Sequence, residues 1–82
     1  MINSKRKIKV NKYYKHFKGN IYKVIAIGKY SEDERRMVVY QAEYGKKEIW
    51  IRDYEMFNSL VDKEKYPNIK QKFRFEEMEN DI

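Results

Sequence analysis

The chain has 82 residues, of which 41% are hydrophobic and 16% aromatic, enough for one folded domain and too few for two separate cores. Charged residues make up 39%, the formal net charge is +6, and the absence of cysteine excludes a disulfide framework, a thiol nucleophile and a thiolate metal site. The longest uncharged stretches, Met37–Ala42 and Met56–Val61, fall far short of a membrane span, and the basic start lacks a signal peptide's apolar run. The expectation is a cytoplasmic protein with no membrane contact.

In chain order, residues 1–11 read as a basic N-terminal arm. Nine Lys and Arg precede the first acidic residue, Glu32, whereas residues 32–82 carry ten against thirteen acids, a balance of −3. Such an arm is attracted to phosphate backbones or another anionic surface. Basic termini also serve simply as solubilising tails.

Residues 12–17, KYYKHF, are β-prone and lead into Gly19-Asn20, a tight-turn dipeptide tolerant of positive φ. IYKVIAIGKY, residues 21–30, is rich in β-branched and aromatic residues and completes a hairpin. The polar SEDERR turn precedes a third strand, MVVYQAEY, and GKK turns the chain into a fourth, EIWIR. In DYEMFNSLV, Asp53 is a good N-cap, and Met56, Phe57 and Leu60 have helical spacing. A loop with the Tyr66-Pro67-Asn68 turn signal leads to a last strand, KFRF, with Phe73 and Phe75 on one face and Arg74 on the other.

Short strands at this spacing, with one helical turn before the last, predict a mainly all-β domain over residues 12–76. The expected fold class is a five-stranded SH3-like barrel, with an OB-like barrel as the structural alternative. Residues 77–82 read as an acidic frayed tail.

The turn at Gly45 decides which side chains share a face. Glycine in first position favours a two-residue type II′ loop, Gly45-Lys46, because a three-residue loop would drive Lys47 into the left-handed region. That register sets Tyr40 opposite Ile51, Ala42 opposite Ile49 and Gln41 opposite Trp50. It sends Tyr40, Ile49 and Ile51 to the core and leaves Trp50, Arg52 and Gln41 on the second face. Trp50 then reads either as second-layer core with its indole N–H satisfied or as part of an open surface.

Several of these residues form a pattern. HFKG at 16–19, Tyr22, MVVYQAEYG at 37–45, WIR at 50–52, MF at 56–57 and RF at 74–75 resemble the bacterial "domain of unknown function 1653" family, over about residues 13–75. Tyr30 stands where that family usually has His, and Asp53 where it has Pro. The resemblance implies a small bacterial stand-alone β domain of unestablished role, with no catalytic residues to transfer.

Catalysis finds little support. His16 is the only histidine, no serine is arranged with it as a nucleophile, and the glycines form no phosphate loop. Neither a metal nor a cofactor is expected, and the chain reads as a non-enzymatic binding module. The candidate ligand-binding residues are Trp50, Arg52, Gln41, His16, Lys18 and Tyr22, because aromatics flanked by cations suit nucleic acid or another polyanion. The alternative is a protein-interaction or small-ligand accessory domain using the same groove, and His16 also reads as a hydrogen-bonded turn anchor. No sequence feature sets an oligomeric state.

Overall fold

The computed structural model describes residues 6–79. Its strands are β1 (Tyr13–His16), β2 (Ile21–Lys29), β3 (Arg36–Ala42), β4 (Ile49–Asp53) and β5 (Phe75–Glu77), with one helical turn, α1 (Tyr54–Phe57). The Gly19 turn joins β1 to β2 with φ +109, a conformation that favours glycine, and His16 N–H donates to the Asn20 carbonyl at 2.8 Å. Asp53 caps α1 as expected: its Oδ1 accepts from the N–H groups of Glu55 and Met56 at 2.8 and 3.1 Å. Among the described residues no helix is long and apolar enough to cross a membrane.

The sheet is antiparallel in the order β4-β3-β2-β1-β5. No ladder joins β4 to β5, so the expected SH3-like barrel is not closed. Instead α1 follows β4, and residues 59–61 run beside residues 72–74 as the chain enters β5. Val61 N–H donates to Lys72 O, Arg74 N–H donates to Ser59 O, and Leu60 bridges Phe73. The strand expected over KFRF thus begins only at Phe75.

The β3–β4 register differs from the two-residue-loop expectation. Tyr40 lies opposite Trp50, Val39 opposite Ile51, Val38 opposite Arg52 and Gln41 opposite Ile49. The loop spans residues 43–47, closed by Ala42 N–H donating to Glu48 O at 2.9 Å, with Gly45 and Lys47 both left-handed at φ 57 and 54. Lys47 thus adopts the unfavourable conformation the expectation rejected, and its carbonyl accepts from Gln41 Nε2 at 3.0 Å. Since side chains alternate, Tyr40, Trp50 and Arg52 share the inner face, while Gln41, Ile49 and Ile51 lie on the outer one. The two isoleucines expected in the core are 60% and 64% exposed.

The inner face is buried by aromatic rings. Phe57 from α1 and Phe75 from β5 stack with centroids 4.0 Å apart and planes 3° apart. Tyr14 meets Phe57 edge-on, Tyr40 meets both phenylalanines, and Tyr22 meets Phe75. Val24, Val38 and Tyr54 complete this core. Met56, in the same helical turn as Phe57, is exposed.

Ile8 also belongs to the core. The stretch expected as a basic arm is therefore packed on the sheet from Arg6 onward. Ile8 N–H donates to Tyr54 Oη at 2.9 Å, Lys9 N–H to Tyr14 Oη at 2.9 Å, and Asn11 N–H to Val24 O at 2.8 Å. The Arg6 guanidinium lies 3.8 Å from the Phe73 ring centroid and donates to Oδ1 of buried Asn58, whose Nδ2 donates back to Arg6 O. Residues 1–5 lie outside the described residues. At the other end Met78 N–H donates to Tyr13 O, so the expected acidic tail is paired at its start, and its last residues, 80–82, also lie outside.

Phe57→Ala removes the stack and most of the inner-face contacts of α1, and should destabilise the fold by about 3–5 kcal/mol. Asp53→Ala should cost about 1 kcal/mol through the lost cap. Urea unfolding of both variants checks the order; equal losses would contradict the central place given to the stack.

Candidate functional site

The aromatic core rises to a cationic rim at one end of the inner face. His16 closes β1, where its ring stacks on Phe17 at 4.4 Å and meets Phe75 edge-on at 4.9 Å. Its Nδ1 accepts the Lys18 N–H at 3.0 Å, which fixes the turn and makes this nitrogen an acceptor. Arg52 comes from edge strand β4 but points inward: its Nε donates to Tyr40 Oη at 3.2 Å, and its Cζ lies 5.8 Å from the Phe75 centroid. Arg74 arrives from the segment before β5, its Nε donating to Ser59 Oγ at 3.1 Å. Among the described residues neither Arg52 nor Arg74 forms an ion pair with a carboxylate.

These cations act on one another and on His16. Burial, and then the charges of Arg52, Arg74 and Lys18, push the imidazole down to about 4, so it is neutral at pH 7. Burial and then the Arg52 charge also lower Arg74. The site is therefore short of negative charge, and an anion placed among these groups relieves their repulsion.

Aromatics border the cations. Trp50 is 48% exposed and lies beside Arg52 on the inner face, two residues away along β4, so it is not a buried core residue. Tyr22 and Tyr44 share a hydrogen bond at 2.8 Å between their hydroxyls, and Tyr22 is pushed up to about 12 by burial and by that bond. Lys18 Nζ sits 5.9 and 5.7 Å from the rings of Phe17 and Tyr66.

Of the residues singled out from the sequence, Trp50, Arg52, His16 and Tyr22 thus share the inner face, and Lys18 lies at its rim. Gln41 does not join them: it lies on the outer face, engaged with Lys47. Arg74, expected on the strand face away from Phe75, and Tyr44 are the members that sequence reasoning missed. The RF pair at 74–75 was the available sign for Arg74. No group of three or more His, Cys, Asp or Glu residues that could hold a metal occurs among the described residues.

The family model described as a protein of unknown function (DUF1653) matches residues 12–77, most of the folded chain. Neither the curated proteins nor the solved structures contain a match.

Since His16 is the only histidine, its titration can be followed by NMR without ambiguity. Arg52→Gln should raise its pKa from about 4 toward the ordinary 6.5; an unchanged value would mean that Arg52 does not face it. A base whose pKa is depressed by folding binds its proton more tightly when unfolded. Its contribution to stability is therefore fully present above 6.5 and lost as the pH falls from 6.5 to about 4. His16→Asn, which keeps an acceptor for the turn, should flatten that part of the stability profile.

Proposed function

Because the chain belongs to this family, whose description assigns no activity, we propose that it is a non-enzymatic module that binds a polyanion, single-stranded nucleic acid foremost. The observation that carries this reading is the pair Arg52 and Arg74, both turned to the His16 end of the inner face without a carboxylate partner. Guanidinium groups grip phosphate through paired N–H donors, and Lys18 adds charge at the rim. Trp50, about half exposed beside Arg52, supplies a ring face on which a base stacks.

The backbone from Ile8 to Asn11 is hydrogen-bonded to the folded domain, while Lys7 and Lys9 stay exposed. This reading gives recognition to the inner face and leaves those lysines a supporting charge.

Titrating the lone tryptophan's fluorescence with a single-stranded oligonucleotide tests this. Three neutralised phosphates predict log K falling against log salt with a slope of about −2, and loss of one arginine should reduce it by about 0.7. Arg52→Gln and Arg74→Gln should each weaken binding, whereas Lys29→Gln, at the far end of β2, should change it little. Absence of binding at low salt, or binding indifferent to both arginine substitutions, would overturn the proposal.

A further inference from the structure

β4 is an edge strand, and apart from the inward-pointing charge of Arg52 it carries little protection against pairing. It has no proline and no bulge against β3, and Ile49, Trp50 and Ile51 are consecutive exposed apolar residues. The opposite edge, β5, is shorter and carries Glu76 and Glu77.

The stretch Lys47-Glu48-Ile49-Trp50-Ile51-Arg52-Asp53 is charge-complementary to its own reverse. We propose that two copies of this chain pair antiparallel through β4 about a two-fold axis at Trp50, joining their sheets into one. In that register Glu48 faces the second copy's Arg52 on each side of the axis, so these two pairs bring opposite charges together. Lys47, left-handed at φ 54, and Asp53, which caps α1 and lies 3.7 Å from Arg35, add to the pattern only in sequence. Ile49 faces the second copy's Ile51, and the two tryptophans meet at the axis. A register displaced to centre on Ile49 sets Lys47 against Ile51 and Glu48 against Trp50, and loses these pairs.

The backbone agrees with this arrangement. Ala42 N–H donates to Glu48 O, so Glu48, Trp50 and Arg52 direct their backbone groups into the sheet toward β3. Ile49 and Ile51 direct theirs outward, where the proposed pairing needs donors and acceptors. Trp50 then occupies a non-hydrogen-bonded pair, in which Cα atoms approach to about 4.5 Å. On the outer face, isoleucines from both copies meet beside Val39 and Met37, lengthening an apolar strip that each copy alone exposes. Arg52 already reaches inward to Tyr40, so Glu48 of the second copy attracts it across the edge without removing it from the inner face.

A short edge contact of this kind falls in the small-interface class, which predicts a concentration-dependent dimer in the micromolar range. Sedimentation equilibrium of the full chain measures it without any nucleic acid, so its outcome is independent of the polyanion reading. Glu48→Lys, which sets like charges against Arg52, and Ile49→Lys should each weaken dimerisation by about tenfold or more. The natural chain has no cysteine, so single cysteines report the register directly. Under mild oxidation Trp50→Cys should form a covalent dimer faster than Ile49→Cys or Ile51→Cys, because only residue 50 faces its own copy within disulfide reach. A chain that stays monomeric to about 1 mM overturns the proposal. So does a dimer that ignores both lysine substitutions and cross-links best at 49 or 51.

Discussion

The stack of Phe57 on Phe75 ties together the two open edges of the sheet. Phe57 belongs to the helical turn that leaves β4, and Phe75 to β5 at the opposite edge, yet their ring centroids lie 4.0 Å apart. An open sheet of five short strands has one face to bury, and these rings bury it without a closing ladder. Tyr14, Tyr22 and Tyr40 meet the stack edge-on, an arrangement that suits the quadrupoles of aromatic rings. The same contact locates the cationic rim, because His16 rests against Phe75, Arg52 reaches over it and Arg74 immediately precedes it. Folding and the candidate site therefore depend on one pair of rings.

Strands, the Gly19 turn and the Asp53 cap were legible in the sequence because each rests on local chemistry. The β3–β4 register was not, since it depends on whether Lys47 accepts a left-handed backbone. Local propensity says it should not, but the Tyr40 ring is covered by Phe57 and Phe75 from α1 and β5, and Trp50 rather than Ile51 lies opposite it. Trp50 and Arg52 then take the inner-face positions, and the isoleucines turn outward. Tertiary packing of rings distant in sequence outweighed the preference of one loop residue. The N-terminal segment misled differently: its lysines suggest a solvated arm, but Ile8 among them is an anchor whose N–H reaches Tyr54. One buried apolar residue in a charged run is enough to commit the backbone around it.

The candidate site was half legible for related reasons. Trp50, Arg52, His16 and Tyr22 stand out as residue types, and inner-face alternation brings them together even though the expected register sets Tyr40 on the other face from Trp50. Arg74 went unseen because its neighbourhood comes from the pairing of residues 59–61 with 72–74, which strand periodicity alone does not reveal. Its placement changes the electrostatics of the rim. Burial first, and then the charges of two arginines without carboxylates, lower that histidine and leave the site with a deficit of negative charge.

Both faces of β4 and its free edge thus carry different work on one short strand. The inner side presents Trp50 and Arg52, the outer side presents Ile49 and Ile51, and the edge presents the outward backbone groups of those isoleucines. Pairing through that edge, as inferred above, would set two cationic rims on the same side of a continuous sheet, related by a two-fold axis at Trp50. A polyanion long enough to reach both would then meet the second rim as an intramolecular event, at an effective concentration set by the strand spacing rather than by bulk protein. Weak binding at each rim is sufficient under that geometry. The polymeric nature of the ligand, more than the affinity of any one arginine, would then select nucleic acid over a free phosphate.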